Sequence, residues 1–259
     1  ANPYNGVNKL IQSSDIINIM KKLNINDFKI NNLTLYQTAF IHKSYCNMID
    51  YSEFSNSNGY LPLQSESYET MEFLGDSVLS SVVTNYLYKR FKCIHKENEG
   101  FLTKLRTRIV CGDNLAKLSK MINFNEFIII SKHIEENCDG RNNENILEDV
   151  FEAFLGALFL DNDYNFTEKI LIQIIEELVD FTNLIINDNN YKDQILKYFQ
   201  HNYKKHPKYE HCRKDDENNI FYCNLIFDGK KISEGNGNTK KRAEQDVSKN
   251  ALKYYNVLT

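Results

Sequence analysis

The sequence predicts an α+β protein with two domains, a large all-helical part followed by a small α-β-β-β-α unit. Between residues 15 and 186 apolar residues recur at helical spacing, and one stretch over about 68–91 is apolar on nearly every side, which is typical of a buried helix. Beyond residue 203 the pattern changes to alternation, which predicts strands over 209–213, 221–227 and 231–234. Four short polar residues, 187–190, form the predicted linker, so the expected domains are 1–187 and 191–259.

Charge divides the chain at the same place. Residues 191–259 hold 14 Lys and Arg against 9 Asp and Glu, a net charge of +5, whereas residues 1–190 hold 17 against 26, a net charge of −9. A basic C-terminal unit is typical of nucleic-acid binding. The six cysteines lack metal-type spacing, and no apolar run is long enough to cross a membrane. These features predict an intracellular protein with reduced thiols and no membrane partner, in either cytoplasm or nucleus.

Carboxylates occur on the helix that the apolar pattern would bury. Glu69, Glu72 and Asp76 fall within an arc of about 60° on one side of that helix. Like charges at close range in a buried patch disfavour ionisation, and a divalent cation is the usual compensation.

A second apolar stretch, 146–158, repeats the arrangement with Asp149 and Glu152 on one face. If the two helices pack side by side, Glu72, Asp76, Asp149 and Glu152 surround one small volume. Ligands that are all carboxylate oxygen suit Mg²⁺ or Mn²⁺ rather than zinc. The alternative is that these acids are the solvated faces of two amphipathic helices.

These residues carry a resemblance to a known family. The segment Glu69-Thr70-Met71-Glu72-Phe73-Leu74-Gly75-Asp76-Ser77-Val78-Leu79 resembles the signature of the ribonuclease III family, and the likeness extends over nearly the whole chain. It implies that residues 1–187 form an all-α catalytic domain in which Mg²⁺, or Mn²⁺ in its place, is held by four acids. These are Glu72, Asp76, Asp149 and Glu152, with Glu69 and Glu99 close by but outside the metal's ligand set.

The C-terminal unit is similar to the double-stranded-RNA-binding domain. The segment Gly235-Asn236-Gly237-Asn238-Thr239-Lys240-Lys241-Arg242-Ala243-Glu244-Gln245 fits that family's loop-to-helix motif. A helix start with free N–H groups and three cations is a phosphate-binding terminus. The RNA-binding residues implied here are Gln200, Thr239, Lys240, Lys241 and Arg242.

The first helix of this unit departs from the family pattern. Leu196 and Lys197 stand where a Gln-Glu pair is common, and the loop 214–217 is acidic where a histidine-bearing loop is often found. These departures indicate binding that depends more on phosphates than on the minor groove, and therefore a steep salt dependence.

The resemblance implies a Mg²⁺-dependent endoribonuclease for RNA processing that cleaves double-stranded RNA by attack of water. The expected ends are a 5′-phosphate and a 3′-hydroxyl, with short 3′ overhangs from paired cuts. Since the chain has one set of carboxylates, paired cuts require a symmetric homodimer. Phe73 matches an apolar contact that family dimers use across the interface, and its alternative is a core phenylalanine.

Two other functions stay open at this point. The first is a non-catalytic double-stranded-RNA-binding protein that retains the ribonuclease III fold. The second is an unrelated helical di-metal phosphohydrolase acting on nucleotides, which leaves the basic unit without a purpose.

Three further segments carry expectations. Residues 1–9 are predicted to be a loose tail. His42 is predicted to be a packed, hydrogen-bonded residue rather than a catalyst. The loop insertion 47–67 is either a disordered surface loop or a segment that approaches the RNA.

Overall fold

Two compact units, Ala1–Phe181 and Thr182–Thr259, make up the chain in a computed structural model. It describes residues 2–56, 58–186, 190–215 and 218–258, with the backbone alone at Ile186, Cys212 and Arg213. The predicted limits 1–187 and 191–259 stay a proposal, because 187–189 of the predicted linker lie outside the described residues. In the described part of the chain no helix has the length and apolar character needed to cross a lipid bilayer.

In the described residues of the first unit the regular elements are helices, joined by loops and two isolated bridges. Its helices are α1 (Ser13–Lys22), α2 (Leu33–Thr38), α3 (Glu69–Leu87), α4 (Glu99–Ile109), α5 (Gly112–Met121), α6 (Lys132–Asn137), α7 (Glu144–Asp161) and α8 (Tyr164–Leu178). A π-helical segment, Tyr88–Ile94, continues α3, and α9 (Phe181–Ile186) begins where the two units divide.

Helices α3 and α7 pack against each other at the centre of the first unit. Val78, Val82 and Val83 of α3 are buried. Eleven residues of α7 are also buried, and they include Leu147 and Phe154. This confirms that both acidic stretches lie on helices that the fold buries on several sides.

Two glycines bring the backbones of these helices into contact. A methyl group at Gly75 would lie 1.8 Å from the carbonyl oxygen of Glu152, and one at Gly156 would lie 2.2 Å from that of Met71. No side chain fits at either position, so the glycines fix the closest approach of α3 and α7.

Residues 2–9 are held on the domain, so the expectation of a loose tail over residues 1–9 is wrong for the described part of that segment. Asn5 is only 4 % exposed, and its amide donates to the carbonyl of Ile130 at 3.2 Å and to the Glu135 carboxylate at 2.9 Å. The Asn8 amide donates to the same Ile130 carbonyl at 2.8 Å. Ile130 is buried, and its backbone carbonyl needs hydrogen-bond donors, which Asn5 and Asn8 supply.

The last long helix of the first unit is shorter than predicted. The pattern over 167–186 favours one helix, but α8 begins at Tyr164 because the Asp163 side chain accepts from the Phe166 N–H at 2.7 Å. It ends at Leu178 because Val179 is extended.

The second unit has the predicted order of elements. Helix α10 (Tyr191–Tyr203) precedes strands β1 (Lys208–Asp215), β2 (Ile220–Phe227) and β3 (Lys230–Gly237), and α11 (Lys240–Tyr254) follows. The strands form one antiparallel sheet in the order β1-β2-β3, and the β2–β3 turn has positive φ at both Asp228 and Gly229. Cys223 and Leu225 of β2 pack with both helices in one apolar core. The predicted α+β fold class is therefore confirmed.

Candidate functional site

Four carboxylates, called here the acidic cluster, lie on the two helices that cross at the glycine pair. Glu72 and Asp76 flank Gly75 on α3, and Asp149 and Glu152 precede Gly156 on α7. Glu152 is buried, with 9 % of its surface exposed, Glu72 and Asp149 are half-buried, and Asp76 is exposed. The four acids at the helix crossing therefore range from buried to exposed to solvent.

The acidic cluster shares one unfavourable electrostatic environment. Burial raises the pKa of Glu152 to about 8, and repulsion from Asp76, Glu148, Glu72 and Asp149 adds to the effect. Burial also raises the pKa of Glu72, to which repulsion from Asp149 contributes. The neighbouring acids therefore disfavour ionisation of Glu152 and Glu72, and a bound divalent cation would relieve this repulsion.

The donor chemistry fits a hard divalent cation, whereas the side chains as placed do not converge on one. Among the described residues, no three His, Cys, Asp or Glu side chains lie close enough together to hold a metal ion. Ionised carboxylates repel one another, and a bound cation would offset that repulsion. The oxygen donors, their charge and their shared crossing fit Mg²⁺ or Mn²⁺, and the assignment of individual ligands stays a prediction.

The two supporting acids differ in their surroundings. Lys43 donates to Glu69 at 2.9 Å, and this hydrogen bond lowers the pKa of the Glu69 carboxyl. Glu99, the first residue of α4, is exposed and accepts from Thr103 on its own helix at 2.8 Å. Glu69 thus borders the acidic cluster through α3, while the described contacts of Glu99 do not connect it to that cluster.

Sequence reasoning overlooked two residues at this site. Glu148 repels both Glu72 and Glu152, and its position four residues before Glu152 is a signal that the helical spacing already contained. Tyr68 donates its hydroxyl to Oδ2 of Asp149 at 2.9 Å, and no sequence pattern connects two residues 81 positions apart.

His42, which packs against Tyr68, is packed and hydrogen-bonded, as predicted. Nδ1 of His42 lies 2.8 Å from Oγ of Ser44, and burial lowers the pKa of the imidazole. Its ring packs against that of Tyr68, with centroids 5.8 Å apart.

The insertion 47–67 is anchored at its base. The Asn47 N–H donates to the Gln64 carbonyl at 2.8 Å, and the Gln64 N–H donates to the Tyr45 carbonyl at 3.0 Å. These bonds contradict the disordered interpretation for the described residues at that base. Ser57 lies outside the described residues.

The candidate RNA-binding terminus is the start of α11. The Thr239 side chain accepts from the Arg242 N–H at 3.1 Å, and Lys240 and Lys241 are exposed. A methyl group at Gly237 would lie 2.7 Å from Cβ of Arg242, so the preceding loop approaches the helix closely. The terminus combines helix N–H groups with cations, which suits phosphate.

On α10, Gln200 is exposed, and Lys197 forms an ion pair with Asp193 at 2.6 Å. Of the predicted acidic loop 214–217, residues 216 and 217 lie outside the described residues.

Phe73 is the exposed apolar residue of α3, with 80 % of its surface accessible. The alternative that Phe73 is a residue of the hydrophobic core is therefore wrong. An apolar ring this exposed beside the acidic cluster is the kind of residue that an interface covers.

Two family models match the chain in the same order as its two units. The family described as Ribonuclease-III-like matches residues 32–178, and the double-stranded RNA binding motif matches residues 191–255.

Curated relatives agree with these matches. The chain is 33 % identical over 228 residues to Ribonuclease 3 of Borreliella afzelii, covering 86 % of this chain and 85 % of that protein. It is 36 % identical over 221 residues to Ribonuclease 3 of Streptococcus pneumoniae, covering 84 % and 88 %. A match to the Probable ribonuclease 3 of Acanthamoeba polyphaga mimivirus is 39 % identical over 199 residues, which is 74 % of this chain but 35 % of that longer protein.

A solved structure shares the fold of the helical unit. The nuclease domain of ribonuclease III from Campylobacter jejuni aligns with a TM-score of 0.51 and 27 % identity, covering 64 % of this chain and 96 % of that domain.

Proposed function

The chain belongs to the ribonuclease III family, and from this premise we propose that it is a Mg²⁺-dependent endoribonuclease that cleaves double-stranded RNA. The observation that carries the proposal is the acidic cluster on the α3–α7 crossing, in which burial and neighbouring acids raise the pKa of Glu152 to about 8. A fold gains nothing in stability from gathering such charge, so the cluster indicates a functional site.

The residues that would hold the cation are Glu72, Asp76, Asp149 and Glu152. When bound, Mg²⁺ supplies an activated water and charge stabilisation for the departing 3′-oxygen. The glycine contact between α3 and α7 holds the four acids on a rigid support, and the start of α11 binds backbone phosphates. A unit of this type recognises the A-form duplex through phosphates and 2′-hydroxyls rather than through base sequence.

The proposed products carry 5′-phosphates and 3′-hydroxyls, with short 3′ overhangs. Overhangs arise when two sites cut opposite strands, so the proposal includes a homodimer with one acidic cluster in each protomer. A non-catalytic double-stranded-RNA binder is the alternative, and the presence of all four acids counts against it. A nucleotide phosphohydrolase leaves the basic second unit unexplained.

Incubation of the protein with a long RNA duplex in Mg²⁺ tests the proposal. Short duplexes with 5′-phosphates are expected, with no product in EDTA and none from single-stranded RNA of the same sequence. Binding of the duplex without cleavage would favour the non-catalytic alternative, and hydrolysis of nucleotides alone would favour the phosphohydrolase.

Replacing Phe73 by alanine is expected to weaken the homodimer. Truncation of a central aromatic anchor costs about 2 kcal/mol, or roughly a 30-fold increase in the dimer dissociation constant. Sedimentation equilibrium measures that constant. Ile49→Ala is the matched control, since Ile49 is another apolar side chain, 91 % exposed, in the insertion 47–67. Equal dissociation constants for both variants would show that Phe73 lies outside the interface.

Replacing Lys241 by alanine is expected to reduce the salt dependence of duplex binding. Each phosphate contact contributes a slope of about 0.9 to the plot of log affinity against log salt, and one contact should be lost. Binding titrations in EDTA at several salt concentrations measure the slope. Lys253→Ala removes the same charge from the last turn of the same helix and should leave the slope nearly unchanged. Identical slopes for the two variants would indicate a nonspecific effect of net charge.

A further inference from the structure

We infer that Tyr68 is a positioning residue for the acidic cluster, whose hydroxyl holds the Asp149 carboxylate toward α3. The inference rests on the proposed function. Tyr68 immediately precedes α3, and Asp149 lies on α7. The hydroxyl donates to Oδ2 of Asp149 at 2.9 Å, so one side chain joins the start of one acidic helix to a carboxylate of the other.

The backbone of Tyr68 is tied on both sides of the residue. Its N–H donates to the Ile41 carbonyl at 2.8 Å, and its own carbonyl accepts from the N–H groups of Met71 and Glu72, each at 2.9 Å. The residue therefore closes the first turn of the helix that carries Glu72. A shift of Tyr68 would move acids on both helices of the crossing.

The ring of Tyr68 is also confined, with 2 % of the residue exposed. The ring packs on the imidazole of His42, and the backbone N–H of His42 donates to the Ile129 carbonyl at 3.0 Å. The imidazole is fixed in turn by Ser44, whose Oγ accepts from the Ser131 N–H at 3.0 Å. The contacts with His42 therefore hold the phenol ring in one position, and this fixes the position of the hydroxyl that binds Asp149.

The hydroxyl keeps its proton and acts as the donor. A phenol carries its proton at neutral pH and a carboxylate only accepts, so the 2.9 Å contact has Tyr68 as donor and Asp149 as acceptor. Outer contacts of this kind orient a ligating carboxylate, and their loss typically costs 10- to 100-fold in metal affinity.

A second tyrosine–aspartate contact, between α2 and the last residue of α7, serves as a matched control away from the acidic cluster. Tyr36, which is fully buried, donates its hydroxyl to Oδ2 of Asp161 at 3.0 Å. Asp161 also accepts from the N–H groups of Asn31 and Asn32. It lies at the last residue of α7, about 18 Å along the helix axis from Asp149. Removing the Tyr36 hydroxyl therefore breaks a tyrosine–aspartate hydrogen bond at the end of α7 without reaching the proposed metal site.

The experiment compares Tyr68→Phe and Tyr36→Phe with the unaltered full-length protein, in the absence of RNA. Mn²⁺ binding is titrated by electron paramagnetic resonance, below the unfolding transition that circular dichroism gives for each protein. We expect Mn²⁺ affinity to fall about 10- to 100-fold in Tyr68→Phe and to stay unchanged in Tyr36→Phe. In cleavage assays, the Mg²⁺ concentration for half-maximal rate should rise by the same factor only in Tyr68→Phe.

The result that overturns the inference alone is equal Mn²⁺ affinity in Tyr68→Phe and the unaltered protein, with duplex cleavage by the latter intact. Equal losses in Tyr68→Phe and Tyr36→Phe would also overturn it, because they would reflect general loosening of α7. Failure of the unaltered protein to bind Mn²⁺ at all would instead overturn the proposed metal site together with the inference.

Discussion

Replacing Glu152 by glutamine is expected to reduce duplex cleavage by at least about 100-fold while leaving RNA binding intact. Residues that merely orient a metal ligand cost 10- to 100-fold when lost, and Glu152 is proposed to be a ligand itself. The amide has nearly the same shape but carries no charge, so the fold of α7 should be retained. Single-turnover cleavage and duplex binding in EDTA measure the two effects separately.

The same substitution is expected to stabilise the metal-free protein at high pH. The folded pKa of Glu152 is about 8, against 4.5 for an exposed glutamate. Between these values the folded state holds a proton that the unfolded chain has released, so the free energy of unfolding falls as the pH rises from about 4.5 to about 8. Below about pH 4.5 the protonated Glu152 causes no loss of unfolding free energy, and above about pH 8 the full loss is present. Glu72 and Asp149 shift in the same direction.

Thermal unfolding in EDTA at pH 5 and pH 8 checks this expectation. The unaltered protein should melt at a lower temperature at pH 8, and Glu152→Gln should show a smaller difference between the two conditions. Glu144→Gln is the control, because Glu144 is an exposed acid at the start of the same helix. A Glu152→Gln protein that cleaves as fast as the control would remove Glu152 from the proposed active site.

Residue pattern predicted the parts of this fold that local physics determines. The apolar surroundings of Glu72 and Glu152 predicted buried helices, and the alternation over 221–227 predicted the strand β2. The structure confirmed both, because periodicity is a property of short segments.

Features that depend on distant contacts escaped the sequence. The N-terminal segment is polar and reads as a tail, yet Asn5 and Asn8 satisfy the buried backbone at Ile130, more than 120 residues away. Tyr68 and Asp149 meet only because α3 and α7 cross. Local sequence patterns do not predict contacts between residues so far apart in the chain.

Replacing Gly75 by alanine is expected to destabilise the first unit by at least about 3 kcal/mol. Overpacking commonly costs 1–3 kcal/mol, and here the added methyl would lie 1.8 Å from a backbone oxygen of Glu152, which no change of rotamer can relieve. Since each kcal/mol lowers the melting temperature by about 2–4 °C in a domain of this size, differential scanning calorimetry should show a large downward shift.

Gly100→Ala makes the same chemical change with the opposite expected sign. Gly100 lies in the first turn of α4, and its added methyl would come no closer than 3.4 Å to the Asn98 side chain. Alanine at a helical position free of clashes stabilises by up to about 1 kcal/mol, so the melting temperature should rise slightly. If Gly75→Ala behaved like Gly100→Ala, the backbones of α3 and α7 would not be in contact at Glu152. The rigid support proposed for the acidic cluster would then be absent, because that contact is what holds Glu72 and Asp76 opposite Asp149 and Glu152.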